Sequence, residues 1–266
     1  MVQLHQELSN PLEINYYGYK FLRACSNQPQ DADSSEPDHE KSITVRKAVT
    51  LDDMVKVFQI RYEGYKKYYK SEDENMDQND FSSHACLLLA EDKHHNPVGT
   101  IRILDRRYGK IELDNFVNLD SFLPEGKSLN VIEATRFSIP NHLDSKLIKM
   151  LLWKALFLYC QVNHIDTIIM SARPAAARSY RCLLFENVGS LGVYKHPLLG
   201  NLEHQTYKCI ISEKKHQAKE KNWPLYQFFF VKDHPNIKLD CFKLYNHDNN
   251  ASELSIQEKT TGVCIN

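Results

Sequence analysis

Residues 131–140, VIEATRFSIP, place a Glu and an Arg inside an otherwise apolar stretch. In a regular strand Glu133 and Arg136 point to opposite faces, and a buried charge is costly unless it is paired. One bulged residue between them brings both side chains to one face and turns a backbone N–H away from the strand ladder. In a cleft, this arrangement provides a proton-accepting carboxylate and a donor for an oxyanion. The alternative is a structural ion pair with a neighbouring strand.

Two further arginines lie among apolar residues. Arg61 shares a helix face with Met54, Phe58 and Tyr65, and Arg102 lies in the strand-like segment VGTIRIL. A buried arginine needs a carboxylate partner. Alternatively, the Arg61 stem packs while its guanidinium reaches water, and Arg102 lies on an exposed edge.

Residues 71–83, SEDENMDQNDFSS, form an acidic loop that follows the first predicted helix. A calcium loop starting at Asp73 would need Gly at its sixth position and Glu at its twelfth, where Gln78 and His84 stand. We therefore predict no metal site. We expect Asp77 and Asp80 to pair with arginines, while a solvated acidic loop is the alternative.

The elements that must position these residues alternate between strand and helix patterns. Strands are predicted at residues 43–49, 85–90, 97–104, 130–139, 167–172, 188–193 and 206–211, and helices at 51–69, 143–162, 175–186 and 213–223. Thr50 stands where a helix N-cap belongs. Hairpins join some strands and helices join others, which predicts an α/β fold with a mixed sheet.

Composition narrows the class of protein further. The 266 residues carry a formal net charge of −1, which argues against a nucleic-acid-binding protein. The seven cysteines are scattered and form no CxxC pair, so we expect no disulfide framework and a reducing, cytoplasmic location. The most apolar stretch, 147–160, contains two lysines and is too short to span a bilayer, which leaves at most peripheral membrane contact.

The chain divides into three predicted parts. Residues 1–42 form an N-terminal extension: positions 12–22 are rich in aromatic residues and could pack on the body, and the polar positions 26–42 resemble a linker. Residues 43–245 form the domain. Residues 246–266 form a polar, loose tail.

The ordered segments DQNDFS, LLLAED, GTIRIL and EATRFSIP resemble the signature of acyl-homoserine-lactone (autoinducer) synthases and of the related long-chain N-acyl amino acid synthases. Those families carry an Arg and an aromatic residue on the first helix, two Asp three apart, an Arg after the hairpin, and a Glu and Arg three apart on the central strand. The positions that match are Arg61, Tyr65, Asp77, Asp80, Arg102, Glu133 and Arg136.

The resemblance implies a GNAT-like fold, in which a mixed central sheet splays apart and is flanked by helices, and a bacterial, cytoplasmic N-acyltransferase. It would join a medium or long acyl chain from an acyl carrier protein thioester to the amine of an amino acid. Glu133, Arg136 and Arg102 are the expected catalytic residues, with the Glu133 carboxylate as the proton acceptor. The expected substrate-binding residues are Arg61, Tyr65, Asp77, Asp80 and Phe137. No metal and no cofactor beyond the acyl thioester is expected.

Two departures from relatives bear on the substrates. The segment after the central strand, IPNHLDSK, lacks the glycine-containing Q/R-x-x-G-x-G/A loop of acetyl-CoA users, which favours a carrier-protein donor. The segment KKYYKSED lacks the Trp of homoserine-lactone synthases, which favours an amino acid or another small amine over S-adenosylmethionine.

The carrier protein is expected to dock on basic residues near the cleft, and apolar residues of the following helix either line an acyl tunnel or pack in the core. The basic residues are Lys146, Lys149, Arg173, Arg178 and Arg181, and the apolar ones Leu147, Met150, Leu151 and Trp153. The rival functions are an acyl-CoA-dependent N-acyltransferase acting on another amine and a non-catalytic lipid-binding protein of the same fold.

Overall fold

The computed structural model describes residues 43–68, 76–122, 130–140 and 145–238. The predictions for residues 1–42 and for the tail 246–266 lie outside the described residues, as does the start of the acidic loop with Asp73. In the described part of the chain, no helix is both long enough and apolar enough to cross a membrane.

The described residues form one eight-stranded sheet and four α-helices. The strands are β1 Thr44–Lys47, β2 Ala85–Glu91, β3 Pro97–Asp105, β4 Val131–Ser138, β5 Thr167–Ala172, β6 Glu186–Asn187, β7 Val193–His196 and β8 Leu202–Ile210. The α-helices are α1 Leu51–Tyr65, α2 Ser145–Val162, α3 Ala177–Cys182 and α4 Ile211–Glu220.

The sheet has the order β1-β2-β3-β4-β5-β8-β6, and β7 pairs with β8. The β4–β5 pair is parallel, and the other strand pairs of the described residues are antiparallel. β4 and β5 pair only from Val131 to Glu133, facing Thr167 to Ile169. Beyond that point β4 stays with β3 and β5 stays with β8, so the sheet splays open in its middle.

Helix α1 begins directly after the predicted N-cap residue, Thr50. The Thr50 side chain accepts a hydrogen bond from the backbone N–H of Asp53, whose carboxylate accepts one from the N–H of Thr50. This reciprocal capping box satisfies two of the free donors at the helix start. The helix ends at Tyr65 rather than at residue 69, because the N–H of Tyr68 bonds the carbonyl of Tyr65 in a tighter turn.

Helix α2 is buried almost throughout and supplies much of the core, because most of its positions carry large apolar side chains. Its one buried cation, Lys154, donates to the backbone carbonyls of Phe229 (3.3 Å) and Lys232 (2.5 Å) at a π-helical turn, Gln227–Val231. Burial lowers the pKa of Lys154 to about 8. The lysine thus fastens the C-terminal segment to the core.

Two sequence predictions in the second half are wrong. The helix predicted at 175–186 is only Ala177–Cys182, because Leu184 adopts a left-handed backbone conformation with φ 69°. The strand predicted at 188–193 is instead a 3-10 turn, Gly189–Leu191, and the strand β7 begins only at its last residue. Gly192 has φ 65°, which glycine adopts at low cost and which a strand does not contain.

Candidate active site

The central strand carries the predicted bulge. Thr100 faces Ser138 and Arg102 faces Thr135, so a two-residue step on β3 faces a three-residue step on β4. The extra residue lies beside Arg136, whose φ is 52°. The bulge brings the Arg136 side chain to the Thr135 side of the sheet, and this confirms the expected common face for Glu133 and Arg136. An extra residue also leaves a β4 peptide group unpaired with β3.

Arg102 lies at the centre of a buried ion-pair network. Its Nη1 atom donates to Asp77 Oδ1 at 2.7 Å and to Asp80 Oδ1 at 2.8 Å, and its Nη2 atom donates to Glu112 Oε1 at 2.5 Å. Its Nε atom donates to the hydroxyl of Thr135 at 2.9 Å. Arg102 is therefore a buried hub and not an exposed edge residue.

The other two arginines complete this network. Arg61 Nη1 donates to Asp80 Oδ1 at 2.7 Å, and both side chains are fully buried. Arg136 Nη2 lies 2.9 Å from both Asp77 Oδ2 and Glu112 Oε1. The prediction that Asp77 and Asp80 pair with arginines is confirmed. The network joins α1, β3, β4, the acidic loop and the 3-10 turn Glu112–Asn115.

The three-residue spacing of the two aspartates has a local cause. They stand at the start of a 3-10 turn, Gln78–Phe81, in which Asp77 Oδ1 accepts from the N–H of Asn79 and Asp80 Oδ2 accepts from the N–H of Asp77. The remaining oxygens face the arginines. Burial by itself would raise the pKa of Asp77, but Arg102 and then Arg136 outweigh it and hold this pKa below its usual range.

Glu133 differs from the other carboxyls of the site. It is fully buried, its Oε2 atom accepts the backbone N–H of Leu113 at 3.1 Å, and its Oε1 atom has no hydrogen-bond partner among the described residues. Burial, followed by the nearby Glu112 carboxylate, raises the pKa of Glu133 well above its ordinary value. Within the described residues, three arginines face three carboxylates, those of Asp77, Asp80 and Glu112. Glu133 is a fourth carboxyl, which is outside these ion pairs and can bind a proton.

A cleft with about 200 Å³ of space opens where β4 and β5 separate. Thr135 and Arg136 line it from β4, and Ser171 and Ala172 line it from β5. The bulge of β4 and one end of the ion-pair network therefore border this cleft. The cleft can thus hold a reacting carbonyl against backbone donors.

The end of α1 closes one side of this cleft. Tyr65 lines it, and its hydroxyl donates a 2.7 Å hydrogen bond to the backbone carbonyl of Phe137 at the bulge. The Ser138 hydroxyl donates to the carbonyl of Ile60 at 2.9 Å. A Cβ atom on Gly64 would lie 2.0 Å from Ser138 Oγ, so glycine is required for this approach of helix to strand.

The predicted site residues separate into two groups. Arg136 and Tyr65 line the cleft, whereas Arg61, Arg102, Asp77, Asp80 and Glu133 are not among its lining residues. The Phe137 ring does not line the cleft but stacks on Trp153, with a centroid distance of 5.4 Å. The backbone carbonyl of Phe137 accepts the hydrogen bond from the Tyr65 hydroxyl. The residues named for an acyl tunnel belong to the core or pack against it, and none lines the described cleft.

Several cleft residues escaped the sequence analysis. Glu112 stands between Ile111 and Leu113, and a charge between two apolar residues was the available signal. Its placement depends on a short 3-10 turn, Glu112–Asn115, which has no periodicity to detect. Further missed residues come from several segments of the chain and include Tyr68, Tyr180, His196, Leu199, Leu202 and His204.

The sequence of residues 56–200, more than half of the chain, matches the model of the family described as N-acyl amino acid synthase FeeM. A comparison with curated proteins gave no match.

Solved structures extend this comparison to the fold. The structure of FeeM, an N-acyl amino acid synthase from uncultured soil microbes, aligns with a TM-score of 0.58 and 17% identity, covering 67% of this chain and 96% of that chain. The CoA-dependent acyl-homoserine lactone synthase MesI aligns with a TM-score of 0.49 and 17% identity over 73% of this chain and 98% of that chain. An acyl-CoA N-acyltransferase from Pseudomonas aeruginosa gives 0.45 and 17% over 62% and 97%. The likeness to FeeM shows the GNAT-type fold, and the predicted splayed, mixed sheet is confirmed.

Proposed function

The chain belongs to the N-acyl amino acid synthase FeeM family and is an amide-forming N-acyltransferase, and on this premise we propose that it joins a medium or long acyl chain from an acyl carrier protein thioester to the amine of an amino acid. The amine nitrogen attacks the thioester carbon, the new C–N bond forms, and the C–S bond breaks. The thiol leaves with one proton, and the amine loses one.

The observation that carries the proposal is the cleft between β4 and β5 at the bulge of β4. A thioester placed there has its carbonyl oxygen beside the backbone that the bulge has turned from β3. Backbone N–H donors held in advance stabilise the oxyanion of the tetrahedral intermediate more than water does. In this account, the buried ion pairs of Arg102 and Arg136 with Asp77 hold β3 and the β4 wall of the cleft against the acidic loop.

Glu133 is proposed as the acceptor of the amine's proton, which then returns to the leaving thiolate. It does not line the cleft, so the proton passes by way of the Glu112 carboxylate, which borders the cleft and lies beside Glu133. Among the described residues, the three arginines of the cluster pair with Asp77, Asp80 and Glu112, and none of these ion pairs includes Glu133. A carboxylate in this position holds a proton readily, because burial disfavours its charged form.

Two features support a carrier-protein donor. The segment IPNHLDSK after β4 contains no glycine that would let a CoA pyrophosphate approach the backbone closely. Arg178 and Arg181 on α3 are exposed, as is Lys146 at the start of α2, and carrier proteins are acidic. Complementary charge steers such partners together.

An amino acid acceptor fits the same cleft beside Arg173. Arg173 lines the cleft, is exposed, and donates to the hydroxyl of Tyr68 at 2.9 Å, which leaves other guanidinium N–H groups able to bind a carboxylate. Arg136 also lines the cleft, but its Nη2 atom is engaged by Asp77 and Glu112. We therefore assign the carboxylate of the acceptor to Arg173.

The test is a reconstituted reaction analysed by mass spectrometry. Dodecanoyl carrier protein and dodecanoyl-CoA are each offered with the twenty common amino acids, and the products are identified by mass. An N-acyl amino acid formed faster from the carrier-protein thioester supports the proposal. Turnover with the CoA thioester alone selects the CoA-dependent rival. Bound lipid without turnover selects the lipid-binding rival.

A further inference from the structure

His196 lines the cleft, yet no step of the proposed chemistry uses it. Its side chain is 3% exposed, and its Nδ1 atom is buried without a hydrogen-bond partner among the described residues. Buried side-chain nitrogens nearly always have a partner, so a missing one at the wall of a cleft indicates a group that a ligand supplies.

The imidazole of His196 is held in a fixed position by its neighbours. Its ring lies 5.1 Å from that of Phe116 and 4.9 Å from that of His204, measured between centroids. His204 is itself oriented by a 2.9 Å hydrogen bond between its Nδ1 atom and the carbonyl of Leu202. The pairing of β7 with β8 places Leu202 directly opposite His196. A side chain held in this way can accept a hydrogen bond without first losing rotamer freedom.

The groups around His196 favour an amine as the ligand. Glu112 lines the same cleft as His196, and Phe116, whose ring contacts this imidazole, lies four residues after Glu112. Burial, then His204 and Arg136, lower the pKa of His196 to about 4, so the imidazole is neutral at pH 7 and has a lone pair to offer. A carboxylate and a neutral imidazole are both acceptors for N–H groups.

We propose that His196 and Glu112 form the subsite for the amino group of the acceptor substrate, a deepening that rests on the proposed function. One N–H of a primary amine donates to Glu112 and the other donates to His196. The nitrogen lone pair is then left to face the thioester carbon. The subsite selects primary amines, because an N-methylated amine lacks one of the two N–H donors.

The test compares variants that keep or remove the acceptor atom. His196→Phe keeps a ring against Phe116 and removes the acceptor, and His196→Asn supplies an oxygen acceptor of similar reach. The matched control is His216→Phe, at a position on α4 whose side chain is 72% exposed. Steady-state kinetics are measured with dodecanoyl carrier protein, the best of the twenty amino acids, and the N-methyl derivative of that amino acid.

The Phe variant should raise the KM for the amino acid by about 10-fold or more and leave the KM for the thioester unchanged. It should also lose the preference for the primary amine, and the Asn variant should recover part of both. An unchanged amine KM and an unchanged preference would overturn the assignment of His196 alone. A wild-type protein that forms no amide from any pair would overturn the proposed function and this subsite together.

A second measurement uses only the wild-type protein and therefore tests the subsite even if the Phe variant fails to fold. Wild-type protein labelled with ¹⁵N-histidine is titrated with the same amino acid. The ring nitrogens of His196 should shift and those of His216 should not. Shifts that are equal at the two residues, or no shift at His196, would contradict the subsite.

Discussion

The hydroxyl of Tyr65 donates a 2.7 Å hydrogen bond to the backbone carbonyl of Phe137. This bond joins the last residue of α1 to the bulge of β4, across more than seventy residues of sequence. It fixes the peptide group between Phe137 and Ser138 and so the direction in which the neighbouring backbone donors point. Tyr65 therefore acts on the reaction through the backbone of the central strand.

Tyr65→Phe removes this bond and keeps the ring. We expect a loss of about 1 kcal/mol in the free energy of unfolding and a fall in kcat with little change in KM for either substrate. Urea unfolding and steady-state kinetics check the two effects. Tyr62→Phe, on the same helix but not lining the cleft, is the control and should change neither quantity. A Tyr65→Phe protein with wild-type kcat would show that this bond does not position the reactive backbone.

Arg102→Met should destabilise the protein severely. The substitution leaves the buried Asp80 and Glu112 and the half-buried Asp77 with less positive charge around them, and breaking a buried ion pair in this way costs about 3–5 kcal/mol. Arg106→Met is the matched control, because Arg106 pairs with carboxylates at the surface and such pairs contribute about 0–1 kcal/mol. Equal losses in the two variants, measured by urea unfolding, would contradict the account of the network.

The depressed pKa of Asp77 predicts how stability depends on pH. Because its folded pKa lies below its unfolded value, the contribution of Asp77 is fully present above about pH 4 and is lost as the pH falls through the folded pKa. The difference in free energy of unfolding between the wild type and Asp77→Asn should therefore be largest near neutral pH and shrink below pH 4. A difference that stays constant between pH 7 and pH 3 would show that the arginines do not shift this carboxyl.

Gly64→Ala should open the contact between α1 and β4. The added Cβ would lie 2.0 Å from Ser138 Oγ, and overpacking of this kind costs about 1–3 kcal/mol. Gly189→Ala is the control, because the nearest atom to its new Cβ would be 3.8 Å away. Adding Ser138→Gly to Gly64→Ala removes the obstructing hydroxyl and should restore part of the lost melting temperature. If the double variant does not recover any of the melting temperature, the strain of Gly64→Ala does not arise at Ser138.

The features predictable from the sequence are those with a local signal. The parity of Glu133 and Arg136 predicted the bulge, and the three-residue spacing of Asp77 and Asp80 is that of a capping box whose outer oxygens face arginines. The amphipathic and apolar patterns placed α1 and α2 within a few residues of their observed bounds.

The remainder depends on contacts between distant segments. Glu112 and His196 lie on a short 3-10 turn and a short strand, neither of which has enough residues to show a period. They reach the cleft only because the β7–β8 hairpin and the segment before β4 meet there. Glu133 is a further example. The sequence predicted that it lies on the central strand, but not that its side chain is absent from the lining of the cleft.

The reaction rate of Glu133→Gln tests the central claim most directly, with Glu63→Gln, an exposed glutamate on α1, as the control. Because the pKa of Glu133 is raised, wild-type kcat/KM should rise with pH through a value above the ordinary carboxyl range, and the Gln variant should lack this rise. At pH 7 the Gln variant should be at least as stable as the wild type, since it removes a buried carboxyl that has no arginine partner among the described residues. Amide formation from dodecanoyl carrier protein, followed by mass spectrometry, should fall by about 100-fold or more in this variant and stay unchanged in the control. A Glu133→Gln protein with full turnover and the wild-type pH profile would contradict the claim.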